Sequence, residues 1–192
     1  MIESDRLPTL NASRVALRWL DEGDLEALFG IFSHPDVMRY WSSPPLRDRE
    51  AAGQLLAHIH DSFRRRTLFQ WGVARLEDNL VIGTCTLFHL DPENKRGEIG
   101  YALGREHWGQ GYMSEALHTL LDYAFRDLDL HRLEADVDPR NTASIQSLES
   151  LGFQREGHLR ERWIVNGEIQ DALFYGLLRW EWQGPTGFGG MR

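Results

Sequence analysis

Twenty residues, Glu98 to Leu117, constrain this chain more than any others. Glu98 to Leu103 is strand-like, a turn holding Gly109 and Gly111 follows, and an apolar-periodic run opens at Met113. A strand that passes through a glycine turn into a helix aims several backbone N–H groups at one point. The helix dipole adds a partial positive charge there, so the arrangement favours an anion. Glycines let the backbone approach closely and adopt dihedrals a side chain forbids. The stretch therefore reads as a diphosphate cradle. It is not a P-loop, because Tyr112-Met113 stands where Lys and Ser/Thr are needed. Nor is it a dinucleotide fingerprint, which needs a third glycine at Ser114 and a parallel unit before it. A glycine pair alone could still be a plain strand-to-helix joint.

The flanking sequence supplies elements on both sides. Arg14 to Trp19 alternates Val15, Leu17 and Trp19 against polar or small residues, a first strand. Asp21 caps a helix carrying Leu25, Leu28, Phe29 and Phe32. Pro35 and Pro44-Pro45 break the segment from Ser33 to Pro45 into a loop. Its Met38, Tyr40 and Trp41 either cap the core or wall a substrate mouth. A helix from Asp48 to Arg66 buries Ala52, Leu55, Leu56, Ile59 and Phe63. His58 and His60, two positions apart on it, diverge and read as solvated. Strands at Phe69 to Leu76, Leu80 to Leu90 and Lys95 to Leu103 then run antiparallel through short turns into the glycine loop.

Beyond the loop, Met113, Ala116, Leu117, Leu120, Leu121, Ala124 and Phe125 trace one helical face. A strand, His131 to Val137, and a short helix ending at Gly152 come next. Asn166-Gly167 joins strands Arg160 to Val165 and Glu168 to Leu178 as a two-residue hairpin. Residues 1–183 read as a single domain and 184–192 as a flexible glycine-rich tail. A net charge of −8 disfavours nucleic acid and suits a cationic partner. The single cysteine, Cys85, precludes an internal disulfide and sits in an apolar run, as a buried hydrophobe would. With neither a basic, apolar leader nor a membrane-length apolar run, the expectation is a cytoplasmic protein away from membranes.

Trp108-Gly109-Gln110-Gly111-Tyr112, followed by Glu115-Ala116-Leu117, resembles the acetyl-CoA loop of the GNAT superfamily of N-acetyltransferases. Asn141-Thr142-Ala143-Ser144-Ile145 with Leu151-Gly152-Phe153 resembles the family's later motif. The ending, with Asp171, Tyr175 and Leu177 to Trp182, is similar to the branch that includes bacterial ribosomal-protein N-terminal acetyltransferases. The resemblance spans roughly Arg14 to Trp182. It implies a mixed α/β (α+β) fold with a mostly antiparallel central sheet of about seven strands and helices on both faces. The sheet would be splayed between its fourth and fifth strands, here Lys95–Leu103 and His131–Val137.

The resemblance also implies a site. Backbone groups of Tyr101, Ala102 and Leu103 would pair with pantetheine. N–H groups of Trp108, Gly109, Gln110, Gly111, Tyr112 and Met113 would hold the pyrophosphate, and Asn141 and Ser144 would face the cofactor. Acetyl-CoA would be co-substrate, with no metal. Glu106 replaces the family's usual Gln or Arg at the loop start. Acetyl transfer needs a neutral amine, so Glu98 is the candidate base, directly or through water, against the alternative of a strand-end carboxylate paired with Arg96 or Arg132. Ser144 is the candidate donor to the thiol or a cofactor contact, against the alternative of an ordinary polar residue in a first helical turn. Leu148 stands where many relatives carry a tyrosine that protonates the thiolate, so Ser144 or water serves, or the thiolate leaves without a dedicated acid. Among Tyr40, Trp41, Phe69, Trp71, Phe88, Trp163 and Tyr175, the acceptor side is assigned to Tyr40, Trp41 and Trp163, and most of the rest to core. His89 and His158 have no partner legible in the sequence. The expected acceptor is a protein N-terminal α-amine, with a polyamine or amino sugar as alternative. A non-catalytic acyl-CoA sensor also stays open, as do monomer and homodimer.

Overall fold

A computed structural model describes residues 4–165 and 167–184. Eight strands form one sheet: β1 (Leu10–Asn11), β2 (Val15–Arg18), β3 (Leu68–Arg75), β4 (Val81–Asp91), β5 (Arg96–Leu103), β6 (Arg132–Val137), β7 (Gln154–Val165) and β8 (Glu168–Leu178). Their order is β1-β2-β3-β4-β5-β6-β8-β7. Every neighbouring pair is antiparallel except β5 and β6. A parallel pair needs a crossover, and α4 (Tyr112–Arg126) provides it. The β5–β6 pairing lasts only from Arg96↔Arg132 to Glu98↔Glu134, after which the two strands part. That is the expected splay. It falls one strand later in the count because β1 precedes the first strand recognised in the sequence; two residues are too few for a periodic signal.

Helices cover both faces. The apolar stripe of α4 buries Ala116, Leu117, Leu120, Leu121, Ala124 and Phe125 in one cluster with Trp71, Val73, Cys85 and Leu87. α5 (Thr142–Ser150) adds Leu148 to it. In a second cluster α1 (Leu25–Ser33) supplies Leu28, Ile31 and Phe32, and α3 (Arg49–Arg64) supplies Leu56 and Ile59. Leu120 is fully buried at the middle of the α4 stripe. Leu120→Ala should therefore cost about 2–5 kcal/mol of unfolding free energy, read by urea denaturation. A loss well below this range would mean that α4 does not seat the core.

Three local readings are corrected. The segment after Ser33 is not all loop: Pro35 opens α2 (Pro35–Met38), and the His34 side chain accepts a hydrogen bond from the Asp36 N–H. Proline breaks a helix interior but suits the first helical position, where no N–H is needed. β7 begins at Gln154 rather than Arg160, because register shifts at Arg155/Gly157 and Leu159/Trp163 interrupt the alternation a strand shows in sequence. His60 is half-buried rather than a free surface side chain, since it stacks on Trp19 with ring centroids 4.5 Å apart and its Nε2 lies 2.9 Å from the Leu20 carbonyl. β7 and β8 pair up to Val165↔Glu168, with Gly167 at φ 84°. Asn166 and residues 185–192 of the expected tail lie outside the described residues. Among the described residues no helix is long and apolar enough to cross a membrane.

Candidate active site

The parting of β5 and β6 opens a cavity of about 360 Å³. Glu98, Gly100 and Tyr101 line it from β5, Ala135 and Asp136 from β6, Asn141, Ser144 and Leu148 from the α5 region. Tyr40 and Trp41 after α2, together with Trp163 of β7, complete the wall. The catalytic and acceptor-side residues singled out in the sequence are thus brought to one cavity. Phe88 joins them, whereas Phe69, Trp71 and Tyr175 are core.

The other expected cofactor contacts lie beside the cavity, along β5 and the loop that follows. From Gly100 to Leu103, β5 pairs with β4 on one edge, Thr86↔Gly100 to Gly83↔Leu103. Its other edge has no strand partner past Glu98. An extended ligand can pair with that free edge. Ala102 points its side chain into the second core cluster, so only its backbone could serve.

The loop then makes a short 3-10 turn, Arg105–His107, and passes through Gly109 at φ 72° and Gly111 at φ 81°. Gly111 is the N-cap of α4, and no side chain caps that end. A Cβ at Gly109 would meet nothing within 4 Å, which leaves open space over the turn. The side chains here brace the loop. Trp108 Nε1 donates to the Leu103 carbonyl (2.7 Å), Gln110 Nε2 to the Glu106 carbonyl (2.9 Å) and Arg14 Nη2 to the Gln110 carbonyl (3.0 Å). Arg14 also pairs with Glu115 at 2.5 Å and lies over the Tyr112 ring. Uncapped helix N–H groups, an open concavity and a free strand edge fit an extended ligand with a diphosphate at one end.

Glu98 is 9% exposed. The alternative of an exposed carboxylate held by arginine fails, because Arg96 and Arg132 both bind Glu134 and Arg132 also holds Glu156. Its partner is instead the His89 Nδ1, on an imidazole whose side chain is 72% exposed. His89 takes φ 48° where the β4–β5 register shifts between Phe88 and Asp91. That irregularity turns it toward Glu98, and no local pattern in the sequence signals it.

Tyr101 donates its hydroxyl to the Ser144 carbonyl (3.3 Å), and burial pushes its pKa up to about 12. Asn141 caps α5, its Oδ1 accepting from the Ser144 N–H at 3.2 Å. Leu148 is buried beside them.

Three further carboxylates line the cavity. Asp138 is desolvated, but the Arg140 guanidinium outweighs this and holds it below the usual range. Asp171 accepts from the Glu161 N–H and from His158 (2.7 Å), which lower it too; His158 therefore has a partner. Asp136 goes the other way. Burial raises its pKa despite the opposing Arg162 guanidinium, 3.2 Å from Oδ2. Its Oδ1 is inaccessible and has no hydrogen-bond partner. Leaving such an acceptor unpaired costs about 1–3 kcal/mol. Asp136 escaped notice in the sequence, although Leu133, Ala135 and Val137 alternate with it and place it on the same face as Glu134, and so as Glu98.

A model of the acetyltransferase (GNAT) domain family matches residues 14–154. The uncharacterized N-acetyltransferase p20 of Bacillus licheniformis is 39% identical over 178 residues, covering 93% of this chain and all of its own. The solved structure of spermidine N-acetyltransferase from Vibrio cholerae, in complex with CoA and spermine, superposes with a TM-score of 0.77 at 25% identity, over 88% of this chain and 97% of that one. Mycobacterium smegmatis RimJ, in complex with CoA-disulfide, superposes with a TM-score of 0.81 over 89% of this chain and 87% of its own; at 23% identity that likeness speaks for the fold alone.

Proposed function

The chain belongs to the GNAT family of N-acetyltransferases, and from that premise we propose that it acetylates a primary amine by direct attack, with Glu98 as base. The observation that carries this reading is a buried carboxylate where β5 leaves β6, inside the cavity and next to the free edge of β5.

Acetyl-CoA supplies an activated acyl group and a thiol leaving group. The pantetheine arm would pair with the backbone of Tyr101, Ala102 and Leu103. The diphosphate would sit on the N–H groups from Trp108 to Met113, braced by Arg14. A backbone N–H on the same β5 edge would face the developing oxyanion. An ammonium entering past Tyr40, Trp41 and Trp163 meets Glu98, which takes its proton directly or through water, so that the neutral amine attacks. Ser144 and Tyr101 line the same cavity. With its pKa at about 12, Tyr101 keeps its proton at neutral pH and directs it to the Ser144 carbonyl, so Ser144 is the donor proposed for the departing thiol.

Two acceptor classes fit. A protein N-terminal α-amine accords with the branch resemblance of the ending. A small polycationic amine is favoured by the acidic lining of Glu98, Asp136, Asp138 and Asp171 and by the spermidine acetyltransferase likeness. The test is release of free thiol from acetyl-CoA in the presence of N-terminal peptides, polyamines and amino sugars. Thiol release that depends on one of these amines is expected. CoA binding without thiol release from any amine would overturn the enzyme reading in favour of an acyl-CoA sensor.

A further inference from the structure

Glu98 and Asp136 stand on the two strands that part to make the cavity, and on the same face of the sheet. In the parallel register Glu98 is level with Glu134, and Asp136 is two positions further along β6, so all three side chains project to one side. Glu98 is engaged by His89, Asp138 by Arg140 and Asp171 by His158. Asp136 alone among these four keeps a solvent-inaccessible oxygen with no partner.

What covers Asp136 comes from β7, an edge strand of the sheet. The Arg162 guanidinium touches Oδ2, and the side chain of Arg162 is about half exposed. Trp163, the next residue of β7, also favours the charged form of the carboxylate. The carboxylate itself is 9% exposed. A half-exposed arginine, which also lies over the Trp163 ring 5.2 Å from its centroid, thus rests on a buried, half-satisfied carboxylate of the cavity wall. One reacting amine needs one base, and Glu98 fills that role in the mechanism above. The second carboxylate is left to accept a second positive charge.

We propose that Asp136 is a specificity residue for a second cationic nitrogen on the acceptor, and that Arg162 holds its place until the acceptor displaces it. This rests on the amine-acetyltransferase reading and deepens it: the preferred acceptor carries a second cationic nitrogen besides the one acetylated. That chemistry occurs in a diamine and in a peptide whose second residue is lysine. A guanidinium and an ammonium are both hydrogen-bond donors of unit charge, so one can replace the other against a carboxylate.

The test compares acceptors that differ only in the second charge, butane-1,4-diamine against butan-1-amine and Ala-Lys peptides against Ala-Ala peptides. In Asp136→Asn the ratio of kcat/KM for the dication over the monocation should fall about tenfold or more, through KM, since hydrogen bonds to charged groups are the strong ones. The arm in which the ratio falls identifies the source of the second charge. Arg162→Ala, on an exposed side chain, provides a second measurement should the Asn variant fold poorly. Its dication preference should rise, because the placeholder is gone. Equal losses for dication and monocation in Asp136→Asn, or an unchanged preference in Arg162→Ala, would overturn the proposal. Absence of transfer to every amine would instead overturn the reading on which it rests.

Discussion

Glu98→Gln should lower kcat/KM for every acceptor by roughly 10²–10⁴-fold, the usual contribution of a positioned general base. The change is nearly isosteric and leaves β5 paired to β4 at Phe88↔Glu98 and to β6 at Glu98↔Glu134, so the strand stays in place. It removes the one property the reaction uses, a lone pair able to hold a proton. The glycine loop lies at the far end of β5, and CoA affinity measured by calorimetry should stay at its wild-type value. In wild type the rate should rise with pH as the amine deprotonates, and the variant should need a higher pH for the same rate because the amine must shed its proton without help. A variant with wild-type turnover across that pH range would remove Glu98 as base. The role would then pass to Asp136, whose raised pKa and position on the same face make it the next candidate.

The strand–loop–helix unit was legible because its signals are local. Gly109 and Gly111 take the positive φ that a glycine turn implies, and the α4 stripe from Met113 follows helical spacing without interruption. The parting of β5 and β6 followed from the family resemblance, and the register places it directly after Glu98. What escaped depends on contacts between distant residues. The alternation of β6 tells that Asp136 opposes the core face, yet its loneliness depends on Arg162, 26 residues away. The His89–Glu98 contact needs the β4–β5 register shift, which no pattern of residue types announces. Arg14 looked like the first residue of a strand, whereas its guanidinium reaches Gln110 and Glu115, 96 and 101 residues further along the chain, and steadies the loop. The first half of β7 was lost for a different reason: its two register shifts scramble the period on which strand assignment rests.

Gly111→Val should weaken CoA binding by about tenfold or more, and the size of the loss comes from backbone geometry rather than from a lost contact. Gly111 sits at φ 81°, a left-handed conformation that costs a non-glycine residue about 1–3 kcal/mol and a β-branched one more. A Cβ there would also come within 3.1 Å of Arg14 Nη2. Arg14 cannot yield freely, because it is tied to the Gln110 carbonyl and to Glu115. Relief therefore requires the loop to change shape or the first turn of α4 to fray. Either outcome moves the N–H groups that face the diphosphate. The rest of α4 keeps its buried stripe, so the variant should fold, with Tm lowered by about 2–4 °C for each kcal/mol of strain that it retains. Gly109→Ala separates strain from crowding. Gly109 also has positive φ, 72°, but a Cβ there meets nothing within 4 Å, so only strain opposes the change and CoA binding should suffer less than in Gly111→Val. Wild-type CoA affinity in Gly111→Val would sink the cradle, since the geometry that aims the helix N-terminus could then be altered without consequence for the ligand.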